Sequence, residues 1–294
     1  MNNNALEIHS LKKTFTDFGL DDISFSLPTG FIMGLVGKNG AGKTTTIKLI
    51  LNLLQKESGL IKVFGNDISN RYDFKQDIAV VFDDLLFVED WKIDDVEKAI
   101  SPFYDKWNTA KFQSNIERFH LNRNKKIRDF SKGMKLKLSL AVALSHQAKL
   151  LILDEPTSGL DPLMQNEFIQ LVLEQKAKGC TIFLSSHIFE EVERTCDRVA
   201  ILRKGKIASI QPIDTLRHQQ SREFHFSFSS QEGATAFYQK MGGTLQEKTV
   251  ILLAGKEQLP SILQMASSLN ICDLSTKSQS LEDTFLAFYG EEQK

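Results

Sequence analysis

Gly37-Lys38-Asn39-Gly40-Ala41-Gly42-Lys43-Thr44 follows the apolar run Phe31 to Val36 and leads into Thr45, Thr46 and Ile47. It fits the phosphate-binding pattern of Gly, four residues, then Gly-Lys-Ser/Thr, set between a strand and a helix. Glycines at 37, 40 and 42 open backbone conformations closed to other residues, so consecutive N–H groups, those of Asn39 and Ala41 included, turn inward around a polyanion. The helix after Gly42 offers its first amides to the same phosphates. Lys43 is placed to reach the β- and γ-phosphates, Thr44 to put its hydroxyl on Mg²⁺, and Thr45 to add a contact at the α-phosphate.

Outward from this loop, the chain is 294 residues long, enough for a large domain plus a small one. Its net charge of −1 argues against a nucleic-acid binder, which normally carries a basic face. Cys180, Cys196 and Cys272 are odd in number and lack Cys-x-x-Cys spacing, so neither a disulfide framework nor a zinc site is expected, and a reducing cytoplasm fits. The N-terminus has no signal-peptide pattern. No apolar run approaches the ~18 residues of a membrane span. Any membrane role is therefore expected to come through a partner.

Ala5 to Ile8 and Ile23 to Leu27 read as a small antiparallel layer leading into the buried strand Phe31 to Val36. Phe15 falls in the loop between them, either a core ring or a surface for stacking on adenine. Thr44 to Leu54 has helical spacing, and Leu60 to Phe64 and Ile78 to Phe82 read as strands, so strands alternate with helices as in a parallel sheet. Residues 85–147 read as a helical subdomain with an aromatic core. Lys125, Lys126 and Arg128 read as its solvated face. Leu150 to Leu153 reads as a fully apolar strand and Thr181 to Leu184 as another buried strand, flanking a helix capped by Asp161-Pro162. From about Pro212 the texture changes: Phe224, Phe226 and Phe228 alternate with polar residues, and two helices, a hairpin, a strand and a last helix from Ser280 follow. Domains are expected at 1–215 and 216–294, the second a small α+β layer.

The apolar strand before Asp154-Glu155-Pro156 places two carboxylates at the carboxyl edge of the sheet, where ligands of open α/β folds bind. Asp154 suits the hydration shell of Mg²⁺, and Glu155 suits a base taking a proton from water that attacks the γ-phosphate. His187, after Ser185-Ser186, ends a third strand on the same rim and is a candidate γ-phosphate contact.

Together the phosphate loop, Phe-Ser-Lys-Gly-Met at 130–134, Leu-Ile-Leu-Asp-Glu-Pro at 151–156 and Ser-Ser-His at 185–187 resemble the nucleotide-binding subunit of ABC transporters, over about residues 5–215. Residues 216–294 are similar, more weakly, to the C-terminal extension of bacterial export-type members, the multidrug and antimicrobial-peptide exporters. The resemblance implies an α/β fold of the P-loop NTPase class: a mixed sheet core with an antiparallel layer, a helical subdomain and a small α+β C-terminal domain. It implies an ATPase using ATP and Mg²⁺, paired as a homodimer or heterodimer and docked on a membrane-spanning permease at the inner face of the membrane, most naturally for export of a drug, peptide or lipid-like substrate. By the same resemblance Phe15 would stack on adenine, His187 would be the switch histidine, and Asp161, in Ser158-Gly159-Leu160-Asp161, would lie at the dimer seam. Ser131 and Gly133 would begin a helix facing the γ-phosphate bound by the opposite subunit.

The chain departs from the family pattern in two places. Lys132 and Met134 replace a glycine and a glutamine of the usual Leu-Ser-Gly-Gly-Gln, and Asp83 stands where a glutamine commonly follows an apolar strand. Asp83 is expected from register alone to position Mg²⁺ or water. A non-transport relative acting on nucleic acid or ribosomes is the alternative, although such chains usually carry paired ATPase units or basic linkers. A small-molecule kinase would have no use for the Ser131 signature.

Overall fold

The computed structural model describes residues 3–83, 87–219, 222–255 and 258–278. The chain opens with β1 (Asn4–Thr14) and β2 (Gly19–Pro28), an antiparallel pair. β3 (Ile32–Val36) then enters a second sheet and delivers the chain to the phosphate loop and α1 (Lys43–Ile50). This helix stops earlier than the expected Leu54, because Asn52 turns to a left-handed φ of 53°. β4 (Ser58–Val63) and β5 (Asn66–Asp67) return to the first sheet, ordered β2-β1-β4-β5.

That return corrects one expectation. β4 pairs antiparallel with β1, Leu6 opposite Val63, and lies outside the parallel sheet. Only alternate residues of its second half, Ile61 and Val63, are buried, as on a strand with one covered face.

β6 (Ile78–Val81) precedes α2 (Ile93–Ile100), α3 (Thr109–Arg118) and α4 (Lys132–Ala143). These helices enclose Ile93, Val96, Phe112, Ile116, Phe130 and Leu138, with Trp91, Trp107 and Phe119 packed against them, so the aromatic residues of this stretch are mainly core. Lys126 and Arg128 both pair with Asp90 at 2.9 Å on the solvated side.

β7 (Leu150–Asp154), α5 (Pro162–Ala177), β8 (Thr181–Ser186), α6 (Phe189–Thr195), β9 (Arg198–Arg203) and β10 (Lys206–Pro212) complete the second sheet, ordered β10-β9-β3-β8-β7-β6. Its strands are parallel except β10. Every residue of β3, β7 and β8 is buried, which requires cover on both faces. One cover is the antiparallel layer, whose Phe25 stacks on Phe183 of β8 with ring centroids 5.5 Å apart.

Contacts divide the chain into two compact units, Met1–Ile213 and Asp214–Lys294, the division falling at the start of α7 (Ile213–Gln219). The second unit holds β11 (Arg222–Phe228), α8 (Gln231–Met241), β12 (Thr244–Gln246), β13 (Thr249–Ala254), α9 (Leu259–Ser268) and β14 (Ile271–Ser278). Its antiparallel sheet runs β12-β13-β11-β14, and Phe224, Phe226, Phe228 and Phe237 fill its core. The helix expected from Ser280 lies outside the described residues.

Candidate functional site

Register places the site. Val36 pairs with Ser186, and Asp154 with Ser185, so β3, β7 and β8 end together at the carboxyl edge. Past that edge the loop closes on itself, Ala41 N–H donating to Lys38 O at 3.0 Å. Gly42 sits at φ 112° before α1, and no side chain caps that helix, leaving its first amides open to an anion.

Lys43 is 4% exposed, a burial that a cation accepts only with strong partners. It has three: Gly37 O at 2.6 Å, Lys38 O at 3.3 Å and Glu155 Oε1 at 3.0 Å. The other oxygen of Glu155 meets His187 Nδ1 at 2.8 Å. Burial alone would raise the Glu155 pKa, but the hydrogen bond and charge of Lys43, with His187, outweigh it and hold this carboxyl below its usual range. Asp154 is pushed the other way by burial, against hydrogen bonds from the Ser185 and Thr44 side chains. Ser185 Oγ donates to Asp154 Oδ1 at 2.5 Å, and Glu155 N–H donates to Ser185 O at 3.0 Å.

Thr44, Asp154, Lys43, Glu155 and His187 are thus brought together as expected from their motifs. Among the described residues no cluster of three or more His, Cys, Asp or Glu side chains is arranged to hold a metal. One carboxylate and one hydroxyl, hard oxygens beside a phosphate loop, fit Mg²⁺, which keeps waters and takes its other ligands from phosphates.

The remaining expected residues lie outside that cluster. Thr45 is half-buried in the first turn of α1. Ser131 caps α4, accepting from Met134 N–H at 3.3 Å, and Gly133 approaches Met164. Asp161 caps α5 through Met164 N–H at 3.0 Å. Asp83 Oδ1 accepts from Lys132 Nζ at 2.6 Å, so its partner here is a cation of the helical part. Phe15 is 41% exposed and stacks on Phe18, and Phe18 lies over Gly42. Sequence reading passed over Phe18, although a second aromatic three residues on in the same turn was a visible signal. It also passed over Glu191, a buried carboxylate receiving Thr157 Oγ1 at 2.9 Å and Ser186 Oγ at 2.5 Å, which ties the loop after β7 to the end of β8.

Residues 20–158 match the family model described as ABC transporter. The bacitracin transport ATP-binding protein BcrA of Bacillus licheniformis is 30% identical over 283 residues, 92% of each chain. The chain belongs to the ABC transporter ATP-binding family. This ABC cassette is also 33% identical to the lantibiotic transport ATP-binding protein SrtF of Streptococcus pyogenes over 69% of the chain and 88% of that protein. A solved ATP-binding subunit of an ABC transporter superposes with a TM-score of 0.66 at 31% identity, covering 73% of the cassette and 92% of that structure. The cassette is accordingly an ATPase whose hydrolysis is coupled to transport, and no described helix is long and apolar enough to cross a membrane.

Proposed function

We propose that the cassette drives export of a peptide antibiotic or similar amphiphile by closing, as one of two paired ATPase subunits, around two ATP molecules. The observation carrying this reading is the bonded set Lys43, Glu155 and His187 beside Asp154 and an uncapped helix N-terminus. Support for the substrate class comes from the names of BcrA and SrtF. Lacking a described membrane-crossing helix, the chain would work at the inner face of the membrane on a separate permease, with a second copy or a related subunit as partner.

Each residue then has a task. The amides around Gly37, Asn39, Gly40 and Ala41 and the start of α1 receive the phosphates, Thr45 adding its hydroxyl. Entering triphosphate takes the ammonium of Lys43 from Glu155, freeing Oε1. That carboxylate accepts a proton from the attacking water while His187 holds Oε2. Thr44 and Asp154 would hold Mg²⁺. When bound, the ion supplies positive charge against the phosphate oxygens. Phe15, with Phe18 behind it, offers a face to the base. Across the pair, Ser131 and Gly133 bring the N-terminus of α4 to the opposite γ-phosphate, with Asp161 at the seam. Closure is a population shift, ATP binding the closed pair better than separate subunits.

In Glu155→Gln the base is lost, and turnover is expected to fall by roughly a hundredfold or more while ATP-bound pairs accumulate. Phosphate release and sedimentation of that variant check this, and near-normal turnover removes Glu155 from the mechanism.

A further inference from the structure

Asp83 and Lys132 are separate departures from the family pattern, and the fold joins them. Asp83 lies just past the end of β6 in the parallel sheet, and Lys132 is the first residue of α4 in the helical part. Their 2.6 Å ion pair spans 49 positions of sequence. The same ammonium neighbours the loop after β7, where a Cβ added to Gly159 would lie 3.8 Å from it. A cation in the first turn of a helix opposes the helix dipole, so Lys132 needs a compensating anion. Asp83 supplies one. Both side chains are nearly half-exposed, 46% for Lys132 and 40% for Asp83, and a pair so wetted is weak enough to exchange.

We propose that Asp83 and Lys132 form an exchangeable clasp. In the separate subunit Asp83 holds the lysine; in the closed pair Lys132 is handed to the γ-phosphate of the opposite ATP. This rests on the reading above, in which the Ser131 turn meets nucleotide across the pair. A carboxylate and a terminal phosphate repel one another and compete for the same ammonium. Asp83 is therefore a positioning residue that sets how much ATP is needed for closure, and it acts through Lys132.

The test measures the Mg·ATP concentration for half-maximal pairing in the Glu155→Gln background, by sedimentation, with thermal melting and near-UV circular dichroism confirming the fold. Adding Asp83→Asn frees Lys132 and is expected to lower that concentration roughly two- to fivefold, the range an exposed ion pair commands. Lys132→Gln raises it, the double substitution matches Lys132→Gln alone, and Asp83→Glu keeps the parent value. Swapping the charges, Asp83→Lys with Lys132→Asp, restores the pair but turns a carboxylate toward the nucleotide, so closure stays worse than in Lys132→Gln. Recovery of the parent value by the swapped pair makes the clasp purely structural and overturns the proposal, as does an Asp83→Asn variant that closes no more readily than its parent. If Glu155→Gln itself fails to pair on ATP, the reading across the pair falls and the clasp with it; if the parent pairs but the substitutions do not follow this order, the clasp alone falls.

Discussion

Glu155 holds a positive φ of 46°, a conformation that costs a non-glycine residue about 1 kcal/mol or more and persists only where neighbours impose it. Here its N–H is fixed by Ser185 and its two oxygens by Lys43 and His187, so the strain aims the carboxylate along the rim of the sheet. Gly42, at φ 112°, is constrained more tightly: a Cβ there would stand 2.5 Å from Leu20 Cδ2 and 2.7 Å from Phe18 Cζ. Gly42→Ala is expected to lose measurable ATP binding by calorimetry and to melt at lower temperature. Glu191 gives a pH signature. Burial lifts its pKa from 4.5 to about 7, against the Ser186 and Thr157 hydroxyls. Between those values the folded chain keeps a proton that the unfolded chain has lost, so this group's stabilisation falls as pH rises and levels off above about 7. Glu191→Gln removes the linkage, and its Tm relative to the parent should climb by roughly 3 °C or more from pH 5 to pH 8. A constant difference would contradict the protonated, buried carboxylate. Lys43, Glu155 and His187 were legible in the sequence because each follows an apolar strand in a recognisable pattern. The burial of Glu191 and the bond from Ser185 to Asp154 were not, since both depend on which strands become neighbours.

Among elements, the parallel strands were readable because β3, β7 and β8 are buried along their whole length and so carry apolar runs, with polar residues held to their ends. β4 lies in the antiparallel layer rather than in the parallel sheet that its alternation with helices predicts; an apolar run does not name its partner, and the antiparallel pairing with β1 is a long-range choice. The ends of helices were less legible still, as the stop of α1 at a left-handed Asn52 shows. α4 carries the Ser131 turn and is packed by the helical core around Phe112, which is fully buried. Phe112→Ala should cost about 3–5 kcal/mol and shift the start of α4. Because the phosphate loop belongs to a different core, ATP affinity of the single subunit is expected to change little while ATP-driven pairing weakens at least several-fold. Fluorescent-nucleotide titration and sedimentation, run together, separate the two; equal losses in both would mean that the helical part also shapes the phosphate loop.

For the whole molecule, the proposed function takes the Lys43 loop and the Ser131 turn as two halves of a nucleotide site that a pair of subunits completes. The Lys43 loop ends in a bonded cluster at the sheet edge, while Ser131 and Asp161 spend their side chains capping α4 and α5. The order of the four motifs along the sequence made this division readable, whereas the Asp83 to Lys132 pair emerged only once β6 and α4 were packed side by side. The most direct test is a structure of the Glu155→Gln protein with Mg·ATP. The expected result is a triphosphate bonded to Lys43 of one subunit and to the Ser131 turn of its neighbour, with Lys132 released from Asp83. Triphosphate seated on Lys43 with the Ser131 turns remote from it in every pair of subunits would contradict the account.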